Sequence, residues 1–128
     1  RLALERCAAY FDVSDGAARV AESFLRPKEA HYNYDYFYGI AYEFDLRNPV
    51  GHRVTRLEKN GRAVGDADRM NLVMNNYRAT GAGDFDFYKH CPRVREIQTE
   101  VSELILNYLA ARDAVEIPEN PAYRVRFP

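Results

Sequence analysis

Between residues 40 and 46 the chain alternates, with Ile40, Tyr42, Phe44 and Leu46 on one phase and Ala41, Glu43 and Asp45 on the other. Successive side chains of a β-strand point to opposite faces, so this period predicts a half-buried strand with one face on a core. Asn48-Pro49-Val50-Gly51 ends it. Val54 to Glu58 reads as a second strand, and Asn60-Gly61 supplies the pair of positive-φ residues that a tight hairpin needs. Arg62 to Val64 then returns, Asp66-Ala67-Asp68 turns again, and Met70 to Met74 is expected as a further strand. Tyr123, Val125 and Phe127, alternating with Arg124 and Arg126, predict a closing strand.

A sheet with one apolar face needs cover, and two segments have the helical period to provide it. Residues 2 to 11 place Leu4, Cys7, Ala8 and Phe11 on one stripe. Val94, Ile97, Val101, Leu104, Ile105 and Tyr108 step by three or four, with Pro92 suited to a first turn. Arg95, Glu96, Glu100 and Glu103 fill the intervening positions, so this helix is expected to lie on the sheet with one face wet. Residues 12 to 31 carry Ser14, Asp15, Gly16 and Pro27 and read as mostly irregular, and Asn75 to Phe87 reads as a loop. Strands flanked by helices without a βαβ rhythm predict an α+β domain, a mixed sheet with flanking helices.

At 128 residues the chain is one domain's worth. Lys plus Arg number 18 against 19 Asp plus Glu, so no basic excess favours polymeric nucleic acid. No run approaches the roughly 20 apolar residues of a membrane span, and no signal peptide is recognised. The chain opens at Arg1, which reads as a boundary and not as a natural start. Cys7 falls on an apolar stripe and Cys91 precedes the second helix; two cysteines make no disulfide framework, and spacing leaves open whether they meet.

Catalytic motifs are missing from the text. His31, His52 and His90 are isolated, outside any Asp-x-His, Asn-His or His-x-His piece of a dinuclear metal site, and read as surface residues. No nucleophile elbow, HExxH or Walker-type loop occurs. Asp35, Asp84 and Asp86 lie in candidate loops, where nothing brings a particular pair together, and read as solvated turn residues. Aromatic residues are the conspicuous feature. Of 10 Tyr, four lie between residues 32 and 38 with Phe37. Tyr36 to Tyr38 read as a strand with inward rings in the core, whereas Tyr32 and Tyr34 stand beside Asn33 and Asp35 with less core to enter. A second segment, Asn75-Asn76-Tyr77-Arg78-Ala79-Thr80-Gly81-Ala82-Gly83-Asp84-Phe85, carries a Tyr flanked by amides into a Gly-bearing loop where backbone can approach a ligand. Such loops suit a flat partner, a sugar ring or a docking protein.

In order along the chain, "YNYDYFYGIAYEFDLRNPVGHRV", "LEKNGRAV" and "MNNYRATGAGDF" resemble the C-terminal domain of 5'-nucleotidases and of 2',3'-cyclic-nucleotide 2'-phosphodiesterase/3'-nucleotidases. The likeness runs from "ALERCAAYF" to the last strand. It implies a single nucleotide-binding domain over 1–128, whose partner is an N-terminal metallophosphoesterase domain of the same protein holding two divalent metal ions. It also implies an extracytoplasmic location (periplasmic, secreted or cell-wall associated). In that family two aromatic rings sandwich the base. The resemblance assigns one ring to Tyr77 and the other to "YNYD", with Tyr34 first by its distance from Gly39 and Tyr32 second. Asn75 and Asn76 would support the base or ribose. Gly83 stands where many 5'-nucleotidases carry the Asp of "GGDG", which departs from the family pattern and leaves Asp84, one residue later, as the candidate for the ribose contact. "NNYRA" leans towards the cyclic-nucleotide branch.

Overall fold

The computed structural model describes residues 1–116 and 122–128. In chain order its elements are α1 (Leu2–Ala8), β1 (Phe11–Asp12), β2 (Arg19–Val20), β3 (Ala41–Asp45), β4 (Val54–Lys59), β5 (Arg62–Ala63), α2 (Asn76–Ala79), α3 (Val101–Ala110) and β6 (Tyr123–Arg126). Short 3-10 turns lie at Glu22–Phe24, His31–Asn33 and Asp86–His90. The main sheet has the order β5-β4-β3-β6. Its β3–β4 and β4–β5 pairs are antiparallel and its β3–β6 pair is parallel, so the sheet is mixed and the domain α+β as expected.

Helix α1 is set on the sheet by an exchange of hydrogen bonds. Leu4, Cys7 and Ala8 are buried on one stripe, against Tyr42, Phe44, Leu46, Val54 and Phe85. The Glu5 carboxylate accepts the backbone N–H groups of Arg53 and Val54, both at 2.9 Å. In return the buried Arg53 guanidinium donates to the carbonyls of Ala8 at 2.8 Å and Phe11 at 2.6 Å. A helix leaves its last carbonyls unpaired, and here a side chain of β4's approach satisfies them. The helix therefore stops at Ala8, short of the expected Phe11, and Phe11 opens the β1–β2 ribbon instead.

Turn chemistry performs as its residues dictate. Asn60 and Gly61 have φ of 51° and 75°, and Lys59 pairs with Arg62 across a two-residue turn. Other expectations differ: the segment Asn75 to Phe87, expected as a loop, carries the short helix α2. Residues 70–74 form no strand, and Val73 is 93% exposed. Strand propensity alone does not hold a strand, which needs a ladder partner. Tyr36 to Tyr38 likewise form no strand: Phe37 packs on the core while Tyr38 is 98% exposed. The expected helix from Val94 begins only at Val101, and no residue of α3 is buried.

The reason for the last difference lies in the sheet. Glu43 and Asp45 of β3 point away from α1, yet both are buried. Arg126 grips Glu43 at 2.8 Å, Thr55 donates to Glu43 at 3.2 Å, and Arg47 donates its Nε to Asp45 at 2.8 Å. The outward face is covered by its own ion pairs and not by water alone. An apolar helix laid there would strip these charges of solvent without replacing it. The alternating strand is thus buried on both faces, and the apolar stripe of α3 gains no seat on either. Cys7 is buried and Cys91 exposed, both free, so they do not pair.

Hydrogen bonds from Arg47 hold the Asp45 carboxyl down to about 2. A depressed carboxyl stabilises the fold above its ordinary range, and that contribution is lost as pH falls from about 4 to about 2. Urea midpoints measured at about pH 5 and about pH 2.5 should therefore converge in Asp45→Asn relative to the unsubstituted chain.

Candidate functional site

The two tyrosine loops are joined by one buried cation. Arg78, in α2, meets Asp35 through Nε at 2.7 Å and Nη2 at 2.7 Å, a two-pronged pair. Its Nη1 donates to the carbonyl of Ala82 at 2.6 Å, and its guanidinium lies 4.0 Å over the Phe85 ring. Asp35 in turn donates its backbone N–H to Cys7 Sγ at 3.4 Å, which ties the first loop to α1. The expectation that Asp35 is a solvated turn residue is corrected: it is the counter-ion of a buried guanidinium. Asp84 and Asp86 do lie exposed, paired with Arg6 at 2.9 Å and with Lys89.

Close approach at Gly83 completes the junction. A Cβ there would stand 2.2 Å from Asn33 Oδ1 and 2.6 Å from Arg78 Nη1, and φ is +76°. Only glycine fits. The buried Asn33 in turn accepts the Tyr77 hydroxyl at 3.3 Å.

What these contacts present to solvent is Tyr32 and Tyr77, 59% and 43% exposed, with ring centroids 6.3 Å apart and planes at 67°. Tyr34, the first choice of partner for Tyr77, is turned the other way. It lies against Tyr10 at 5.1 Å, Tyr36 at 5.2 Å and Phe11 at 5.9 Å, and burial pushes its hydroxyl well above the usual tyrosine range. The cause is the 3-10 turn at His31–Asn33, which sends Tyr32 and Tyr34 to opposite sides where an extended strand would align them.

The amides and Asp84 have structural partners. Asn75 caps α2, its Oδ1 accepting the Arg78 N–H at 2.9 Å. Asn76 stays exposed, with Oδ1 2.8 Å from the Tyr77 nitrogen. Asp84 has φ of 67° and is paired to Arg6, whose guanidinium lies 4.1 Å over Phe24 and whose Nε is buried without a partner. His31 shares a hydrogen bond of 2.8 Å with the Tyr10 hydroxyl, and His52 and His90 are exposed on separate turns. Among the described residues no three His, Cys, Asp or Glu side chains converge as a metal would need.

Residues 3–90, which hold both loops and their Arg78 junction, match the family model described as the 5'-nucleotidase C-terminal domain. The chain belongs to that family. It is 24% identical, over 88% of its length, to the trifunctional nucleotide phosphoesterase protein YfkN of Bacillus subtilis (strain 168), and spans 8% of that protein. It also superposes on a Staphylococcus aureus crystal structure assigned as a 5'-nucleotidase and solved with alpha-ketoglutarate. There the TM-score is 0.82 and the identity 35%, over 98% of this chain and 24% of that one. The fold is that of a 5'-nucleotidase C-terminal domain.

Arg78, Asn33 and Gly83 organise the site; Gly83 is marked in the sequence by its Gly-bearing loop, while Arg78 and Asn33 do not stand out. A lone Arg within "NNYRA" has no periodicity that marks it as buried, and Asn33 reads as a loop amide. Arg78→Leu should leave Asp35 uncompensated and cost about 3 kcal/mol of stability, and Gly83→Ala about 2 kcal/mol, in urea denaturation of the chain.

Proposed function

We propose that this domain grips the nucleoside part of a nucleotide for a phosphoester hydrolase, with Tyr32 and Tyr77 as the two faces that take the base. The observation that carries the reading is the convergence of these exposed rings from separate loops at 6.3 Å in a 5'-nucleotidase C-terminal domain. A base between two rings needs parallel planes about 7 Å apart, twice a van der Waals contact. A small outward step and a rotation of Tyr77 meet that need, at the cost of its hydroxyl bond to Asn33, about 1 kcal/mol. Tyr34 is left out of the grip, while Asn76 at the rim and Asp84 beside Arg6 are the polar groups nearest in sequence for the base edge and ribose.

Each stacking contact is worth about 1–3 kcal/mol and accepts any base, because every base has a π face. Two of them give affinity near millimolar, so the domain positions a substrate that other groups must hold by its phosphate. Its own His and carboxylates do not form the donor set of a dinuclear metal centre among the described residues. In this proposal two divalent ions belong to a metallophosphoesterase domain of a longer protein, as the much greater lengths of the relatives favour. Linear and 2',3'-cyclic nucleotides both fit the reading, and the word "trifunctional" in the name of YfkN favours a broad range. We place the whole enzyme outside the cytoplasm on the family resemblance; no helix among the described residues is long and apolar enough to cross a membrane.

In the longer enzyme, Tyr32→Ala and Tyr77→Ala should each lower kcat/KM for a nucleotide by roughly 5- to 100-fold, the equivalent of one stacking contact, while sparing a phosphoester without a base. Equal loss on both substrates would defeat the assignment. The 128-residue chain alone, supplied with divalent metal ions, should release no phosphate from nucleotides above a buffer control; turnover would place catalysis in this domain.

A further inference from the structure

Residues 31–36 form a wall with an aromatic recess on each side. Tyr32 faces Tyr77, as described. On the opposite side His31, Tyr34 and Tyr36 join Tyr10, Phe11, Tyr123 and Val125 around an open recess of about 380 Å³. That volume lies within the usual range of small-molecule sites. The ring planes are steeply inclined to one another: 62° for Tyr10 and Tyr34, 73° for Tyr34 and Tyr36, 58° for Tyr36 and Tyr123. Rings so arranged present faces and edges to the space between them and do not fill it by stacking on each other. A flat ring entering there meets the edge-to-face geometry that aromatic quadrupoles favour.

The wall is firm on its inner side. Tyr123 stacks on the buried Tyr42 at 5.5 Å and 17°, so β3 and β6 fix its ring. Tyr10 is fixed by edge contact with the buried Phe24 at 5.0 Å and by the 2.8 Å bond to His31 Nδ1. With Nδ1 engaged by the Tyr10 hydroxyl, the other ring nitrogen of His31 is the group available to a ligand's polar edge. No Lys, Arg, Asp or Glu lines the cavity among the described residues. A phosphate drawn into it would lose water without gaining a counter-charge.

We propose that this cavity is a second binding site, distinct from the Tyr32–Tyr77 pair, which takes an uncharged planar heterocycle and rejects the same ring when it carries a phosphate. The chemistry stands on the lining alone and does not depend on the nucleotide reading. Because residues 31–36 serve both recesses, an occupant would also hold the turn that carries Tyr32.

The test uses the 128-residue chain, adenosine as the uncharged probe and adenosine 5'-monophosphate as its charged counterpart, with ring resonances of His31, Tyr36 and Tyr123 followed by NMR. In Tyr77→Ala, which lacks the slot, adenosine should shift these signals saturably, and the monophosphate should need at least about tenfold more to do so. Adding Tyr36→Ala, at an exposed position, should weaken adenosine by about tenfold, as loss of one ring contact does. Unmoved signals in Tyr77→Ala, equal response to the monophosphate, or indifference to Tyr36→Ala would each overturn the proposal. In the unsubstituted chain, shifts confined to Tyr32 and Tyr77 would refute the second site and leave the base grip standing. Shifts confined to His31, Tyr36 and Tyr123 would do the reverse.

Discussion

The pair between Arg78 and Asp35 holds together everything that the two tyrosine loops do. Asp35 lies 43 residues before Arg78, and no strand or helix joins their segments. A guanidinium this deeply buried is tolerable only because both carboxylate oxygens, a carbonyl and an aromatic face surround it. Those partners come from both loops, so satisfying one charge brings the loops to a single register. Gly83 then decides how close they come, and Asn33 decides where the Tyr77 hydroxyl rests. The geometry of the rings follows from electrostatics beneath them and not from any preference of tyrosine for tyrosine.

A similar economy governs the sheet. Glu43 and Asp45 stand in a strand that would otherwise offer a wet face, and Arg126 and Arg47 cover them. Ion pairs of this kind add little net stability, but they exclude an apolar partner effectively. The sheet consequently spends its one apolar face on α1 and the aromatic core, where Glu5 and Arg53 exchange backbone bonds across the contact. Helix α3, amphipathic by pattern, lies outside that core with its apolar residues exposed. Its period describes what it can cover; the surface it would cover is a matter for the rest of the fold.

Tyrosine 34 shows how far residue type reaches. Counted along an extended chain, it is the better-placed partner for Tyr77. One 3-10 turn reverses the choice, sending Tyr32 to the slot and Tyr34 into the ring cluster around the second cavity. The same six residues therefore divide their aromatics between two recesses, one beside a buried charge and one lined by neutral groups.

From its residues alone the chain settles the alternating strand β3, the Asn-Gly hairpin, the stripe of α1, the closing strand β6 and the family text that spans both loops. Each of these depends on neighbours within a few positions, where period and turn chemistry act directly. What only the tertiary structure decides are the facts that depend on a partner far along the chain. Residues 70–74 find no ladder, α3 finds no seat, Asn75 becomes a cap, and Tyr32 replaces Tyr34 opposite Tyr77. Burial of a charge is the extreme case, since whether Arg78 can leave water is set by Asp35, Ala82 and Phe85 together, and no local pattern records their meeting.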